Sequence, residues 1–359
     1  MNDLIISLDT KAEVPLYEQI CEYFKQEIQE GRLAAGMRLP SSRALAGNLA
    51  VSRSTVDLAY DQLVSEGYIE SVPCKGYFVS RIEELVVTGQ ENGGENLFFG
   101  MYPWEVPGDS HPAAAGEAEY KVDFSPRGVD LDSFPFNTWR KITKTTLVDD
   151  NKEMFATGDP QGEPAFREAI RGYLHSARGV NCTAEQIVVG AGTEYLLMLL
   201  SRILGPDHTI AMENPTYKQA YRVFKSLGYP VVPVEMDGSG LETSLLERSG
   251  ADIAYVMPSH QYPTGIVMPV KRRQELLSWA CKKEGRYLIE DDYDSEFRYK
   301  GKPIPALQGM DGRERVIYSG TFSKSVAPAI RVSYLVLPKP LLAVYRERVN
   351  FYTSTVSRI

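Results

Sequence analysis

The sequence predicts an α/β protein: a small helical head closed by a two-stranded wing, a linker, and a larger domain built on a mostly parallel sheet. Three observations predict it. Residues 1–80 carry apolar spacing of helical period and end in two short strand-like pieces. Residues 81–120 are rich in Gly, Pro, Ala and acids and offer no periodic face to bury, so they read as a linker. Residues 121–359 alternate short apolar runs with helical stretches, the pattern of βαβ units.

Composition sets the outer limits. At about 150 residues per domain, 359 residues suggest two or three domains. A hydrophobic fraction of 43% with 24% charged residues is that of an ordinary globular protein. The net charge of -8 argues against a protein that coats nucleic acid, so any DNA contact must come from a local patch. No apolar run approaches the length of a membrane span, and "MNDLIISLDTKAE" lacks an export signal. Cys21, Cys74, Cys182 and Cys281 are scattered without a CxxC pair and read as reduced thiols of a cytoplasmic protein. The four histidines show no metal spacing, so no metal site is expected.

In the head, Leu16, Ile20, Phe24 and Ile28 recur every fourth residue and form one face of a first helix. Ser41 or Ser42 can cap a short second helix through "RALAGNLA". After a turn at Val51–Ser52, a third helix places Val56, Ala59, Tyr60 and Leu63 on one face and Arg53, Ser54, Thr55, Asp57 and Gln62 on the other. "YIESVPCKGYFV" then reads as two strands round a turn, a wing carrying Lys75 and Gly76. Residues 1–80 are acidic overall, with seven basic and eleven acidic side chains. Residues 31–56 nevertheless hold Arg32, Arg38, Arg43 and Arg53 with no acid, a positive stripe suited to site-selective DNA binding. A three-helix interaction module with ordinary surface arginines is the alternative on pattern alone.

"LPSSRALAGNLAVSRSTVDLAYDQLVSEGYIESVPCKGYFV" resembles the winged-helix domain of the GntR family of bacterial regulators, over residues 12–79. The resemblance implies that Arg43 and Arg53 contact double-stranded DNA. Ser52, Ser54 and Thr55 become candidate phosphate or base partners, and Lys75 and Gly76 candidate wing contacts. Many relatives carry a further arginine one turn into the recognition helix. Here Asp57 stands at that position, so a different operator preference is expected.

In the larger domain, "QIVV", "TIAM", "IAYVM", "RYLIEDD" and "RVIYSG" read as strands, separated by helices such as "TEYLLMLLSRIL" and "VKRRQELLSWACKKEG". Ligands of such sheets sit at the carboxyl ends of the strands. Asp291, Lys324 and the turn from Gly190 to Thr193 all fall there. Lys324, in "YSGTFSKSVAPAIR", taken alone reads as a surface lysine in a polar loop. A desolvated lysine is the other reading, an amine nucleophile toward an aldehyde. Three features point to the second. Asp291 could hold the protonated ring nitrogen of pyridoxal 5′-phosphate (PLP). "GAGTEYLL" opens a helix whose backbone N–H groups favour a phosphate. Arg331, with Thr321 and Ser323, makes a phosphate clamp.

Together these resemble the fold type I PLP enzymes, the aspartate aminotransferase superfamily, from residue 121 to 359. The resemblance makes Lys324 the Schiff-base lysine, Asp291 the partner of the pyridine nitrogen and Tyr293 the partner of the ring hydroxyl. It makes Tyr217 the stacking aromatic and Gly192, Thr193, Thr321, Ser323 and Arg331 the phosphate ligands. "SHQYPTG" replaces the asparagine-containing "NPTG" of aminotransferases, which leaves the ring-hydroxyl contact open among His260, Gln261 and Tyr262.

A GntR-type head before such a domain resembles the MocR subfamily of regulators. This implies a cytoplasmic, PLP-binding homodimer whose DNA affinity responds to an amine, an amino acid or PLP itself. The alternatives are an aminotransferase with a fused DNA-binding accessory, and a DNA-binding protein whose second domain is a dimerisation scaffold. Such regulators normally continue beyond "RVNFYTSTVSRI" into a small C-terminal subdomain bearing an arginine for the substrate carboxylate. Either this sequence is a truncated product or fragment, or effector binding differs; PLP could still bind, since its ligands are all present, while amino-acid selectivity and dimer stability stay open.

Overall fold

The computed structural model describes residues 14–73, 75–80, 133–147, 152–297 and 304–358, with residues 6, 8, 9 and 12 before them. The linker expected at 81–120, the start of the large domain at 121, and Cys74 lie outside the described residues. The chain divides into one unit, Met1–Glu83 with Pro135–Ile359, and a second, Glu84–Phe134, of which only Ser133 and Phe134 are described. The head and the sheet domain thus belong to the same unit.

The head follows its apolar spacing. Helix α1 (Leu16–Gln29) buries Ile20, Phe24 and Ile28. Ser41 caps α2 (Ser42–Leu49), its Oγ accepting from the Ala44 N–H at 3.2 Å. Ser52 caps α3 (Arg53–Ser65) in the same way through Thr55 N–H at 3.1 Å. Val56, Ala59, Tyr60 and Leu63 of α3 are fully buried. Strands β1 (Ile69–Val72) and β2 (Gly76–Val79) pair antiparallel, and the segment around Met37–Leu39 adds to the wing through bonds to Tyr77 and Val79. One expectation fails. Gln62 is buried, not presented on the outer face, and donates to Glu66 at 2.6 Å. Glu66 is in turn bridged by Lys25 of α1 at 2.7 Å, so the first helix covers that flank of α3.

The larger domain runs α4 (Phe136–Thr146), α5 (Pro164–Arg178), β3 (Ile187–Gly190), α6 (Thr193–Leu204), β4 (Ile210–Asn214), α7 (Lys218–Ser226) and β5 (Val231–Asp237). It continues with β6 (Gly240–Leu241), α8 (Thr243–Arg248), β7 (Ile253–Val256), α9 (Val270–Lys282), β8 (Tyr287–Asp292), β9 (Val316–Thr321), β10 (Ser333–Val336) and α10 (Lys339–Arg348). The strands order as β3-β10-β9-β8-β7-β4-β5-β6. β4, β5, β7, β8 and β9 are parallel, whereas β10 runs antiparallel to both β3 and β9.

Helices cover both faces, which is why the central strands read as unbroken apolar runs. Ile253 and Tyr255 join Leu196, Leu200, Phe224 and Leu341 on one side, with helices α6, α7 and α10. Ala254 and Val256 face the opposite way, toward Leu276 and Trp279 of α9. Ile170 and Leu174 of α5 pack with Val189, Tyr318 and Tyr334. This is the three-layer fold type I architecture, with a mostly parallel sheet. Among the described residues no helix is long and apolar enough to cross a membrane.

Candidate functional site

Sheet register brings the candidate residues to one edge. Ser333 lies opposite both Gly190 and Thr321, and Asp291 lies opposite Ser319. The turn after β3, the turn after β9 and the entry to β10 are therefore neighbours, with the end of β8 one strand further on. These hold Gly192 and Thr193, then Ser323 and Lys324, then Arg331, and finally Asp291 and Tyr293. Tyr217 follows β4, and residues 258–268 follow β7, at the same edge.

Asp291 is buried at the end of β8, and the Tyr255 hydroxyl donates to its Oδ2. Burial pushes its carboxyl up to about 7, with the bond from Tyr255 pulling down and the Asp292 and Asp294 charges adding to the rise. Ser319, on the same sheet face one strand away, has a buried Oγ without a hydrogen-bond partner among the described residues. Asp292 points to the other face, where Arg178 Nε (2.8 Å) and Tyr318 OH (2.5 Å) donate to its Oδ2.

An aromatic group stands beside Asp291. Tyr262 packs edge-on against both Tyr217 and Tyr293, with ring centroids 6.1 and 6.3 Å apart. His260 stacks on Tyr293, and its Nδ1 lies 2.7 Å from Asp294 Oδ2. Gln261 is turned inward. Its Nε2 donates to the Pro215 carbonyl at 2.8 Å and its Oε1 accepts from Thr264, so its amide holds the loop together. Of the three residues left open by the sequence, His260 and Tyr262 are the ones in contact with Tyr293.

The residues expected at a phosphate lie together, and several of them have internal partners. Thr321 Oγ1 accepts from Ser333 Oγ at 2.8 Å and from the Ser323 N–H at 3.2 Å. In the glycine turn, Ala191 N–H donates to Thr355 Oγ1 and Gly192 N–H to the Gly190 carbonyl, both at 2.9 Å. Arg331 donates from Nη2 to Glu194 Oε2 at 2.7 Å. Lys324 corrects an expectation. It is exposed, not desolvated, because the chain has left the sheet edge three residues earlier, at Thr321.

A buried carboxyl poised near neutrality, an unpartnered hydroxyl beside it, a nearby amine and a guanidinium fit a planar cationic ring carrying a phosphate. Sequence reasoning missed Tyr255 and Glu194. A lone hydroxyl inside the apolar run "IAYVM" was the only signal for the first, and an acid in the first turn of the helix after the glycine turn for the second.

In the head, Arg43, Arg53, Ser54 and Lys75 are exposed, with Thr55 and Gly76 half-buried at the recognition-helix start and the wing. Ser52 Oγ lies 2.8 Å from both Ser54 Oγ and Thr55 Oγ1. Arg38 bridges to Phe78 of the wing. The positive stripe is smaller than the sequence suggests. Arg32 bonds Glu27 and Glu30 of the α1 end, and Arg53 pairs with Asp57 at 3.4 Å.

Comparison with known proteins agrees with both halves. The family described as "Aminotransferase class I and II" matches residues 129–359, and "Bacterial regulatory proteins, gntR family" matches 16–79. The uncharacterised HTH-type transcriptional regulator YhdI of Bacillus subtilis is 40% identical over 99% of this chain and 73% of its own length. The probable rhizopine catabolism regulatory protein MocR of Rhizobium meliloti is 34% identical over 96% of this chain and 70% of its own. An archaeal alanine:glyoxylate aminotransferase superposes with a TM-score of 0.58 at 27% identity, over 64% of this chain and 59% of that enzyme.

Proposed function

This chain belongs to the MocR-type transcriptional regulators, GntR-family proteins carrying an aminotransferase class I and II domain, and from that premise we propose that PLP, bound at the carboxyl edge of the large sheet, governs its DNA binding. In this reading Lys324 Nζ is the amine that anchors the cofactor at its aldehyde. The Asp291 carboxylate accepts the ring N–H, and Tyr255 holds that carboxylate in place. Tyr293, with His260 and Tyr262 behind it, borders the ring hydroxyl, and Tyr217 borders the ring face. Thr321, Ser323, Arg331, Gly192 and Thr193 hold the phosphate. Bound there, PLP supplies an electrophilic carbon that captures an amine or amino acid. The protein acts in the cytoplasm, as a homodimer, on a double-stranded DNA operator reached by Arg43, Arg53, Ser54, Thr55 and the wing.

One observation carries the link between the two halves. The loop bearing His260 and Tyr262 runs straight into the seat of the recognition helix. Arg273 ties both ends of that loop, donating to the Pro258 and Met268 carbonyls at 2.9 Å. Immediately after it, Val270 N–H donates to the Glu66 carbonyl at the end of α3 (3.0 Å), and the Val270 side chain is buried in the core of the head. Gly67 lies so close that a Cβ there would stand 2.5 Å from Pro269 Cβ. A ligand that favours one arrangement of the loop thereby favours one seating of the head.

The test uses visible absorbance and DNA binding on the same samples. Purified protein given PLP is expected to be yellow, and Lys324→Ala colourless. Addition of an effector amine is expected to change operator affinity in the wild type alone. A wild type that takes up no PLP, or whose operator affinity is identical with and without it, refutes the reading.

A further inference from the structure

The acid next to the phosphate turn has no place in the scheme above. Glu194 sits in the first turn of α6, where the helix start favours negative charge. Its carboxylate binds Arg331, the one guanidinium assigned to the phosphate. Arg331 is fixed at its base by a left-handed backbone (φ 53°), and it lies directly on the glycine turn. A Cβ at Gly192 would collide with the Arg331 guanidinium, so only glycine leaves room for this seating. Burial raises the Glu194 carboxyl, but its backbone hydrogen bond and Arg331 outweigh that and hold it below the usual range. It is ionised at neutral pH. Both side chains remain accessible, at 50% for Arg331 and 36% for Glu194, so the pair can open without unpacking the core.

Resting on the PLP reading, we propose that Glu194 is a specificity-determining residue of the phosphate subsite, its carboxylate competing with an incoming phosphate monoester for Arg331. A phosphate takes a guanidinium best through two parallel N–H bonds. Here Nη2 already serves Glu194, so the phosphate either accepts fewer bonds or displaces a carboxylate that stays nearby and repels it. The competition weakens the hold on the phosphate group alone and leaves the ring contacts untouched. The site then fills in proportion to the ligand present, as a sensor requires, in place of permanent loading.

The experiment compares full-length wild type, Glu194→Gln, Arg331→Gln and the double variant. Each is titrated with PLP and with pyridoxal, followed by absorbance, and heated with and without inorganic phosphate. Glu194→Gln is expected to bind PLP about tenfold more tightly, a gain of about 1.4 kcal/mol. It should bind pyridoxal unchanged and gain more thermal protection from inorganic phosphate than the wild type. In the Arg331→Gln background the same change should gain clearly less, since only the repulsion between carboxylate and phosphate is then relieved. Equal PLP affinity, or an equal gain for pyridoxal, overturns the proposal. Should the wild type take up no PLP, the functional reading fails by itself, and the phosphate protection still decides the role of Glu194.

Discussion

Replacing Asp291 with asparagine separates the charge of this residue from its shape. The amide keeps an oxygen to accept from Tyr255 but cannot ionise. In the folded protein burial raises the Asp291 carboxyl from 3.8 to about 7. Between those values the unfolded chain has lost the proton and the folded chain keeps it. Folding therefore takes up a proton, and stability falls as pH rises through the window. At about 1.4 kcal/mol per unit, the three-unit shift sets an upper limit on the order of 4 kcal/mol above pH 7. Glu213, pushed up to about 8, and Glu290, pushed up to about 7, are buried carboxyls with the same sign, so the wild type loses stability on all three. Asp291→Asn should remove one proton from that slope. Urea unfolding without PLP should find the advantage of the variant over the wild type growing by about 2–3 kcal/mol between pH 5 and pH 8. With PLP added the order should reverse, because asparagine offers no negative charge to the ring N–H. Parallel stability curves from pH 5 to pH 8 would refute the assignment of a buried, protonated Asp291.

Two further outcomes test the head. Gly67→Ala puts a Cβ into Pro269 at a backbone with φ 80°, so left-handed strain and overpacking together should cost on the order of 2–4 kcal/mol in the docked arrangement. Hydrogen exchange at residues 63–70 and 268–272 should rise together, and operator binding should lose its response to PLP. Wild-type protection at both segments would remove the joint from the argument. Arg53→Ala should weaken operator binding by about 1–3 kcal/mol if Arg53 contacts a base edge through two bonds, measured by titration at fixed salt; unchanged affinity rejects that contact.

What the sequence made legible follows from range. The strands at 253–256 and 287–292 are unbroken apolar runs because helices cover both faces, so their local pattern carries the tertiary fact. The four residues of β10, "SYLV", carry no such mark, and nothing local says that this strand runs against its neighbours. β5 was hidden by Pro233, tolerated where its partner β6 is only two residues long. Gln62 misled because its side of α3 is closed by α1 through Lys25 and Glu66, a contact between residues far apart in the chain. Lys324, Asp291 and Arg331 could be singled out by spacing, since Asp291 stands at the end of a strand and the other two follow or precede one. Their partners Tyr255 and Glu194 could not, since partner choice depends on which strands become neighbours.

The largest difference between pattern and fold concerns charge. Each of three arginines that the sequence offers to an anion has an acid in contact: Arg32 with Glu27 and Glu30, Arg53 with Asp57, Arg331 with Glu194. Two of these pairs lie one helical turn apart or across a strand edge from the expected ligand, where an arriving phosphate meets the acid as well as the arginine. In a chain of net charge -8, a count of arginines therefore overstates the attraction for both DNA and cofactor. The Arg53–Asp57 and Arg331–Glu194 pairs are solvent-accessible, so each contributes little to stability and opens at little cost. Anion binding then becomes an exchange of one carboxylate for one phosphate. Exchange of like for like leaves a small net free energy, sensitive to ligand concentration and to salt. Under the proposed function a regulator needs that small margin at both sites, and an acid placed beside the arginine would supply it at each.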